Sequence, residues 1–126
     1  SMFNTPPVFA VYACKLSMEW LKSIGGIIEI EKRNRLKAKK LYDEIDNNEL
    51  FKGFAAVEDR SIMNVTFNLT DESNKSMFDE IALKKNISGI NGHRSVGGYR
   101  ASIYNALSLE SVDTLVDAMK QFEKNI

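Results

Sequence analysis

The chain collects its only histidine and two of its arginines in one glycine-rich stretch, residues 92–100, which reads GHRSVGGYR. The cationic candidates of this stretch are His93, Arg94 and Arg100. Guanidinium groups bind carboxylate or phosphate through paired hydrogen bonds. Gly97 and Gly98 would let the backbone fold closely and expose its N–H groups to an anion. The stretch therefore predicts an anion site; the alternative is an ordinary hairpin turn with solvated charges.

Other chemistries fit the same residues less well. Gly92 and Gly97 have the spacing of a phosphate loop, but Gly98-Tyr99 stands where Lys-Ser or Lys-Thr is required. The histidine and the lone Cys14 are too far apart in sequence to predict a metal site, so we expect none. The histidine has no evident nucleophile partner beyond a nearby serine.

Composition narrows the class of protein. A length of 126 residues predicts a single domain with one hydrophobic core. The 17 basic residues balance the 17 acidic ones. This balance gives no indication of nucleic-acid or membrane-surface binding. A single cysteine, no apolar run of membrane-spanning length and no basic signal segment lead us to expect a cytoplasmic protein.

The elements that must position the cationic stretch read as an α+β fold. We predict a small, mostly antiparallel sheet with helices packed on one face, preceded by a long apolar helix. The periodicities predict helices over 7–24, 27–46, 72–85 and 109–124, and strands over 63–69, 87–90 and 100–105. Thr5 and Ser108 are predicted helix N-caps, and Asn86 a left-handed C-terminal cap.

The first predicted helix is unusually apolar, and the second contains a run of basic residues. Apolar side chains cover most of the first helix between Val8 and Leu21. It is either a central core helix or a helix packed against something outside this chain. The basic run from Lys32 to Lys40 is flanked by acidic residues, which favours a solvated helix face.

Three segments resemble one family. They read NTPP at residues 4–7, RSIMNVTF at 60–67 and GHRSVGGYRASIYN at 92–105. In this order they resemble the C-terminal portion of the phosphoserine aminotransferases, pyridoxal-phosphate enzymes of the fold-type I, class V aminotransferase group. The resemblance covers essentially the whole chain; Tyr99 departs from it, standing where the family has a medium-sized apolar residue. It implies a connecting and interface helix over 1–26 and a C-terminal small domain over 27–126.

The resemblance also implies a reaction and roles for five residues. The family's enzymes transfer an amino group between glutamate and 3-phosphohydroxypyruvate, giving phosphoserine for serine biosynthesis. By that likeness Arg100 would bind the substrate α-carboxylate. His93 and Arg94 would bind the phosphate, or the side-chain carboxylate of glutamate and 2-oxoglutarate. Asn4 and Thr5 would reach the phosphate of pyridoxal 5'-phosphate in the other subunit of a homodimer.

The chemical half of the family's site is expected to lie outside this chain. No lysine here stands in the family's Schiff-base motif, so we expect the chain alone to be inactive. Self-association through Val8–Leu21 is expected. Two alternatives stay open: a non-catalytic α+β regulatory module that binds a small acidic metabolite, and a structural dimerisation unit.

Overall fold

Within residues 3–95 and 97–126, the part of the chain that this computed structural model describes, three strands form one antiparallel sheet. The strands are β1 (Phe51–Gly53), β2 (Asn64–Leu69) and β3 (Tyr99–Ser102), with β2 in the middle. β2 pairs with β3 so that Thr66 lies opposite Arg100. This register sets which side chains accompany Arg100 on its face of the sheet.

Four α-helices accompany the sheet in the described ranges. They are α1 (Val8–Ser23), α2 (Gly26–Asn47), α3 (Lys75–Lys84) and α4 (Leu109–Asn125). Two single-turn 3-10 helices, Val57–Asp59 and Glu72–Asn74, lie in connections. The predicted α+β class is confirmed. No helix in the described ranges has both the length and the apolar character needed to cross a membrane.

One face of the sheet carries the core. Along β2 buried and half-buried residues alternate, because successive side chains of a strand point to opposite faces. On the buried face the ring of Phe51 meets Phe67 of β2, Phe78 of α3 and Phe122 of α4. The ring centroids of Phe51 and Phe78 are 5.2 Å apart in an edge-to-face arrangement, a geometry that aromatic pairs prefer. The opposite face of the sheet carries the half-buried polar residues of β2.

The chain divides into two compact units, one ending at Lys32 and the other spanning Arg33–Ile126. In the first unit no side chain of α1, all of whose residues are described, is buried. Phe9 is 84% exposed and Trp20 is 40% exposed. The prediction that Thr5 caps this helix is wrong, because Pro7 occupies the N-cap position and no side chain caps it.

Lys37 of α2 corrects the expectation of a solvated basic face between Lys32 and Lys40. Its side chain is 2% exposed, and its ammonium donates to the carbonyl oxygens of Ile103, Tyr104 and Leu107 at 3.1, 2.7 and 3.0 Å. Burial lowers the pKa of this ammonium. Lys37 therefore fixes the turn that links β3 to α4.

The strand predictions were right in part. β2 and β3 lie within one to three residues of their predicted bounds, whereas the predicted strand over 87–90 is wrong. That segment is joined to β3 by the hydrogen bond from the Arg100 amide to the Ile90 carbonyl, at 2.7 Å, and forms no strand ladder. The three-residue strand β1 was missed, because it is too short for an alternating pattern.

Both remaining caps behave as predicted. The Ser108 hydroxyl accepts a hydrogen bond from the Ser111 amide at 3.2 Å, and α4 begins at Leu109. Asn86, which follows the C-cap residue Lys85 of α3, has a φ of 59°, in the left-handed region. Short polar residues thus set the ends of the two helices that cover the sheet.

Candidate functional site

The cationic stretch forms a loop closed at its base by backbone hydrogen bonds. We call residues 91–95 with Gly97 and Gly98 the anion loop. Asn91 forms a β-bridge with Tyr99, and the Gly92 amide donates to the Gly98 carbonyl at 2.8 Å. These bonds place His93 on one side of the loop and Arg100 at its end, where β3 begins.

Two glycines of the anion loop stand where no side chain fits. A Cβ on Gly92 would lie 2.0 Å from the Gly97 carbonyl oxygen. A Cβ on Gly98, whose φ is 64°, would lie 1.8 Å from the Asn68 side-chain oxygen. Real Cβ atoms do not approach other heavy atoms so closely, so glycine is required at both positions. The loop consequently lies directly against β2.

The expectation that Gly97 and Gly98 expose N–H groups is wrong at Gly97. Its amide donates to the His93 carbonyl at 2.8 Å and is therefore occupied within the loop. Both glycines have positive φ, 76° and 64°, whereas an anion nest alternates right- and left-handed residues. Any anion affinity of the loop must therefore come mainly from side chains.

His93 is oriented by its neighbour Ser95. The Ser95 amide donates to His93 Nδ1 at 3.3 Å, and the Ser95 hydroxyl lies 2.7 Å from the same nitrogen. With Nδ1 accepting a backbone proton, the neutral imidazole carries its own proton on Nε2. In this tautomer Nε2–H is a hydrogen-bond donor that an anion could accept from.

His93 and Arg100 line one cavity of about 180 Å³ on the outward face of the sheet. Its lining consists of Phe54, Thr66, Asn68, Gly92, His93, Gly97, Tyr99 and Arg100. Arg94 is exposed on the adjoining turn and is not among the described lining residues. The structure thus brings two of the three predicted residues to one cavity, together with the hydroxyl of Thr66 and the amide of Asn68.

Sequence reasoning missed Phe54, Thr66 and Asn68 as parts of this site. The alternation in β2 places Thr66 and Asn68 on the outward face, and that pattern was visible in the sequence. Their nearness to the anion loop depends on the register of β2 against β3, which the pattern does not contain. Phe54, 57% exposed, had no signal beyond its type.

A larger cavity of about 390 Å³ lies elsewhere in the second unit, between the segment 85–90, β3 and the start of α4. Among its described lining residues Lys85 is the only charged one. A cavity with one peripheral cation offers fewer groups for anion recognition than the smaller one. We therefore place the candidate site at the anion loop.

Asn4 and Thr5 lie in the first unit, just before α1, and both are exposed. Pro6 and Pro7 provide no N–H groups, and the Val8 amide already donates to the Pro6 carbonyl at 2.8 Å. Backbone donors that usually bind phosphate at a helix start are thus reduced here. The side-chain amide of Asn4 and the hydroxyl of Thr5 still fit a phosphate group as donors.

The groups that meet at the cavity suit binding more than bond making. A guanidinium, an imidazole N–H, an amide and a hydroxyl can hold an anion in a fixed orientation. Among the described residues no group of three or more His, Cys, Asp or Glu side chains could hold a metal ion. This set of donors is therefore suited to holding an anion.

Comparison with known proteins places the chain in a family. The family model for class-V aminotransferases matches residues 1–115. The phosphoserine aminotransferase of Flavobacterium psychrophilum is 58% identical over the whole chain, which spans 35% of that relative.

Solved structures agree with this match. A phosphoserine aminotransferase structure on radiation damage of its Schiff base is 45% identical, with a TM-score of 0.92 over 100% of this chain and 36% of its own. That of Bacillus circulans subsp. alkalophilus is 40% identical, with a TM-score of 0.91 over 99% of this chain and 35% of its own. The chain therefore spans about a third of its relatives' length, and it belongs to the class-V aminotransferase family.

Proposed function

We propose that this chain supplies the substrate-binding part of a transaminase acting on glutamate and 3-phosphohydroxypyruvate. Residues 27–126 would form the C-terminal small domain, and 1–26 the connecting and interface helix. The observation that carries the proposal is the shared cavity of His93 and Arg100 on the outward face of the sheet. Relatives of this chain over its full length are named phosphoserine aminotransferase.

Each cation has a separate task in this proposal. Arg100 is the second residue of β3, and its backbone is fixed by pairing to β2, so its guanidinium suits the α-carboxylate that both substrates share. His93 and Arg94 lie on the anion loop and bind the distal group, phosphate in one half-reaction and carboxylate in the other. The imidazole and the guanidinium are donors that either distal group can accept from.

Pyridoxal 5'-phosphate is the cofactor implied by the family, and it supplies the electron sink for amino transfer. Asn4 and Thr5 would bind its phosphate through their side chains, because the prolines that follow them remove backbone donors. Arg100, His93 and Arg94 would orient the substrate's anionic ends, which leaves its amino-bearing carbon to the cofactor. These residues contribute binding and orientation rather than proton transfer.

The partner in this proposal is a second copy of the complete protein. The exposed apolar side chains of α1 support it, since a helix with this composition is usually covered. Val8, Phe9, Val11 and Tyr12 are between 55% and 84% exposed. Homodimer formation through α1 would bring Asn4 and Thr5 to the neighbouring subunit.

Replacement of Arg100 tests the proposal in the complete enzyme. Arg100→Ala should lower kcat/KM for glutamate and for 3-phosphohydroxypyruvate alike, by roughly 10- to 100-fold, the value of a lost charged hydrogen bond. Arg94→Ala should act mainly on KM for the phosphorylated substrate. Lys124→Ala, an exposed cation at the end of α4, is the matched control and should change neither. Unchanged kinetics in Arg100→Ala would refute the assigned role.

The isolated 126-residue chain should show no turnover with pyridoxal phosphate, glutamate and 3-phosphohydroxypyruvate. The physical reason is that normal turnover needs an anchoring lysine, which we expect outside this chain. Phosphoserine formation would be followed by mass spectrometry. Multiple turnovers by the isolated chain would disprove this expectation. A complete coding sequence without a lysine-bearing cofactor domain would instead favour a regulatory module that binds acidic metabolites.

A further inference from the structure

A partly exposed polar network connects the residues before and after the anion loop to α3. Lys75 Nζ donates to Asp79 Oδ2 at 3.0 Å, to Asn91 Oδ1 at 3.2 Å and to the Tyr99 hydroxyl at 3.1 Å. The Tyr99 hydroxyl in turn donates to Asp79 Oδ1 at 2.7 Å. One ammonium and one carboxylate thus hold the residues that precede and follow the loop.

Tyr99 is fixed on every side of its ring. The residue is 2% exposed; its ring stacks on Phe67 at 5.3 Å and meets Phe78 edge-on at 5.1 Å. The Lys75 ammonium lies 4.4 Å from the ring centroid, where a cation is attracted by the aromatic face. Burial, followed by the hydrogen bond to Asp79, raises the pKa of the Tyr99 phenol, so the hydroxyl stays a donor.

The network contacts residues that are close in sequence to His93 and Arg100. Asn91 lies two residues before His93, and Tyr99 lies directly before Arg100. Asn91 and Tyr99 also face each other in a β-bridge. A displacement of either end would therefore change the separation of the imidazole and the guanidinium across the cavity.

We propose that Lys75 and the Tyr99 hydroxyl are positioning groups that hold His93 and Arg100 at the separation required by a substrate with two anionic ends. The inference rests on the proposed function, since it assumes that the imidazole of His93 and the guanidinium of Arg100 bind one substrate. In this proposal both groups act through the loop ends, although Tyr99 itself also lines the cavity. Rigid support of this kind lowers the ordering cost of binding.

Two substitutions in the complete enzyme test the proposal, each with a matched control. Tyr99→Phe removes only the hydroxyl, and Tyr104→Phe does the same at an exposed tyrosine. Lys75→Met removes the ammonium, and Lys84→Met does so elsewhere on α3, where Lys84 pairs with Glu80. We expect KM for 3-phosphohydroxypyruvate to rise about tenfold in both test variants, a usual effect of losing a supporting hydrogen bond, with kcat changed less than about twofold.

A second measurement follows the loop itself without any reaction. Amide hydrogen exchange at Gly92 and Gly97 should accelerate in both test variants, because their hydrogen bonds close the loop. The core amides of Val65 and Phe67 in β2 serve as the internal reference for global stability. Lys75→Arg, which keeps a cation with several donors, should restore most of the protection and of the KM.

The outcomes separate this proposal from the one on which it rests. If Arg100→Ala raises KM but Tyr99→Phe and Lys75→Met leave KM and loop exchange unchanged, the positioning role is overturned. Exchange that accelerates equally in the core would also overturn it, because the network would then only stabilise the fold. If Arg100→Ala has no effect on KM, the proposed function fails whatever the loop does.

Discussion

Gly98 is the residue on which the candidate site depends most sterically. Its φ of 64° is unfavourable for other residues, and the space where a Cβ would lie is taken by the side chain of Asn68. Gly89 has a similar φ of 72° but open space around it. The pair therefore separates the cost of backbone strain from the cost of a clash.

Alanine substitution at these two glycines should give unequal losses of stability. Gly89→Ala should lower the free energy of unfolding by about 1 kcal/mol, the cost of a left-handed alanine. Gly98→Ala should cost at least about 2 kcal/mol, because overpacking adds to the strain. Urea denaturation measures both, and Asn68→Ala should recover part of the Gly98→Ala loss. Equal losses at the two glycines would show that Asn68 moves freely.

For single residues, the amino-acid type predicted which side chains could bind an anion, but the sequence did not predict which residues would lie beside them. His93 and Arg100 were recognisable because cations and glycines were concentrated within nine residues, and both line the cavity. Thr66 and Asn68 were recognisable only as outward-facing. The burial of Lys37 was unexpected, because its carbonyl partners come from a turn 66 to 70 residues later in the chain.

Between elements, Arg60 joins the end of α2 to the connection that follows β1. Its guanidinium makes a paired contact with Asp46 at 2.6 and 2.7 Å and lies over the ring of Tyr42 at 4.6 Å. The Tyr42 hydroxyl donates to the Ser61 carbonyl at 3.0 Å. The segment between β1 and β2 is thus held mainly by side chains of α2.

This arrangement predicts a pH-dependent stability. The hydrogen bond from Arg60 lowers the pKa of Asp46, so its contribution is present above the unfolded pKa of about 3.9 and is lost as pH falls through the folded value. Asp46→Asn should therefore cost about 1 kcal/mol at pH 7 and nearly nothing in strong acid. Asp43→Asn, which breaks an exposed pair with Lys39, should cost under about 0.5 kcal/mol. Urea titrations at several pH values check both, and a constant difference for Asp46→Asn would contradict the prediction.

Elements with strong periodicity were predictable, and short ones were not. The bounds of α2 and α4 deviate by at most one residue from prediction, because their apolar stripes repeat over several turns. The segment 87–90, which begins and ends with an isoleucine, was predicted to be a strand. It makes one backbone bond to β3 instead of a ladder, a tertiary outcome that local propensity does not determine.

For the whole molecule, the exposure of α1 is the feature with the widest consequence. An unburied helix whose side chains are mostly apolar favours association of the isolated chain. The second unit, by contrast, buries four phenylalanines in its own core. The exposed apolar side chains of α1 would therefore be covered by an associating partner, whereas the second unit already has a buried core of its own.

Sedimentation at increasing concentration should reveal self-association of the isolated chain. Phe9→Glu places a charge on the exposed face of α1 and should shift the chain to a monomer. Leu83→Glu, at a comparably exposed apolar residue of α3, is the control and should leave the association constant unchanged. A parent chain that stays monomeric at high concentration, with Trp20 shielded from quenchers, would contradict this expectation.

Lys37 gives the second unit an internal chemical reporter. All three ammonium hydrogens are engaged by carbonyl oxygens, and the side chain is 2% exposed, so an acylating reagent reaches this amine only when the turn after β3 opens. Lys39, a neighbour on α2, is exposed and reacts without opening. The ratio of acetylation at the two lysines, followed over time by mass spectrometry, would therefore report how often that turn opens, without any substitution in the chain.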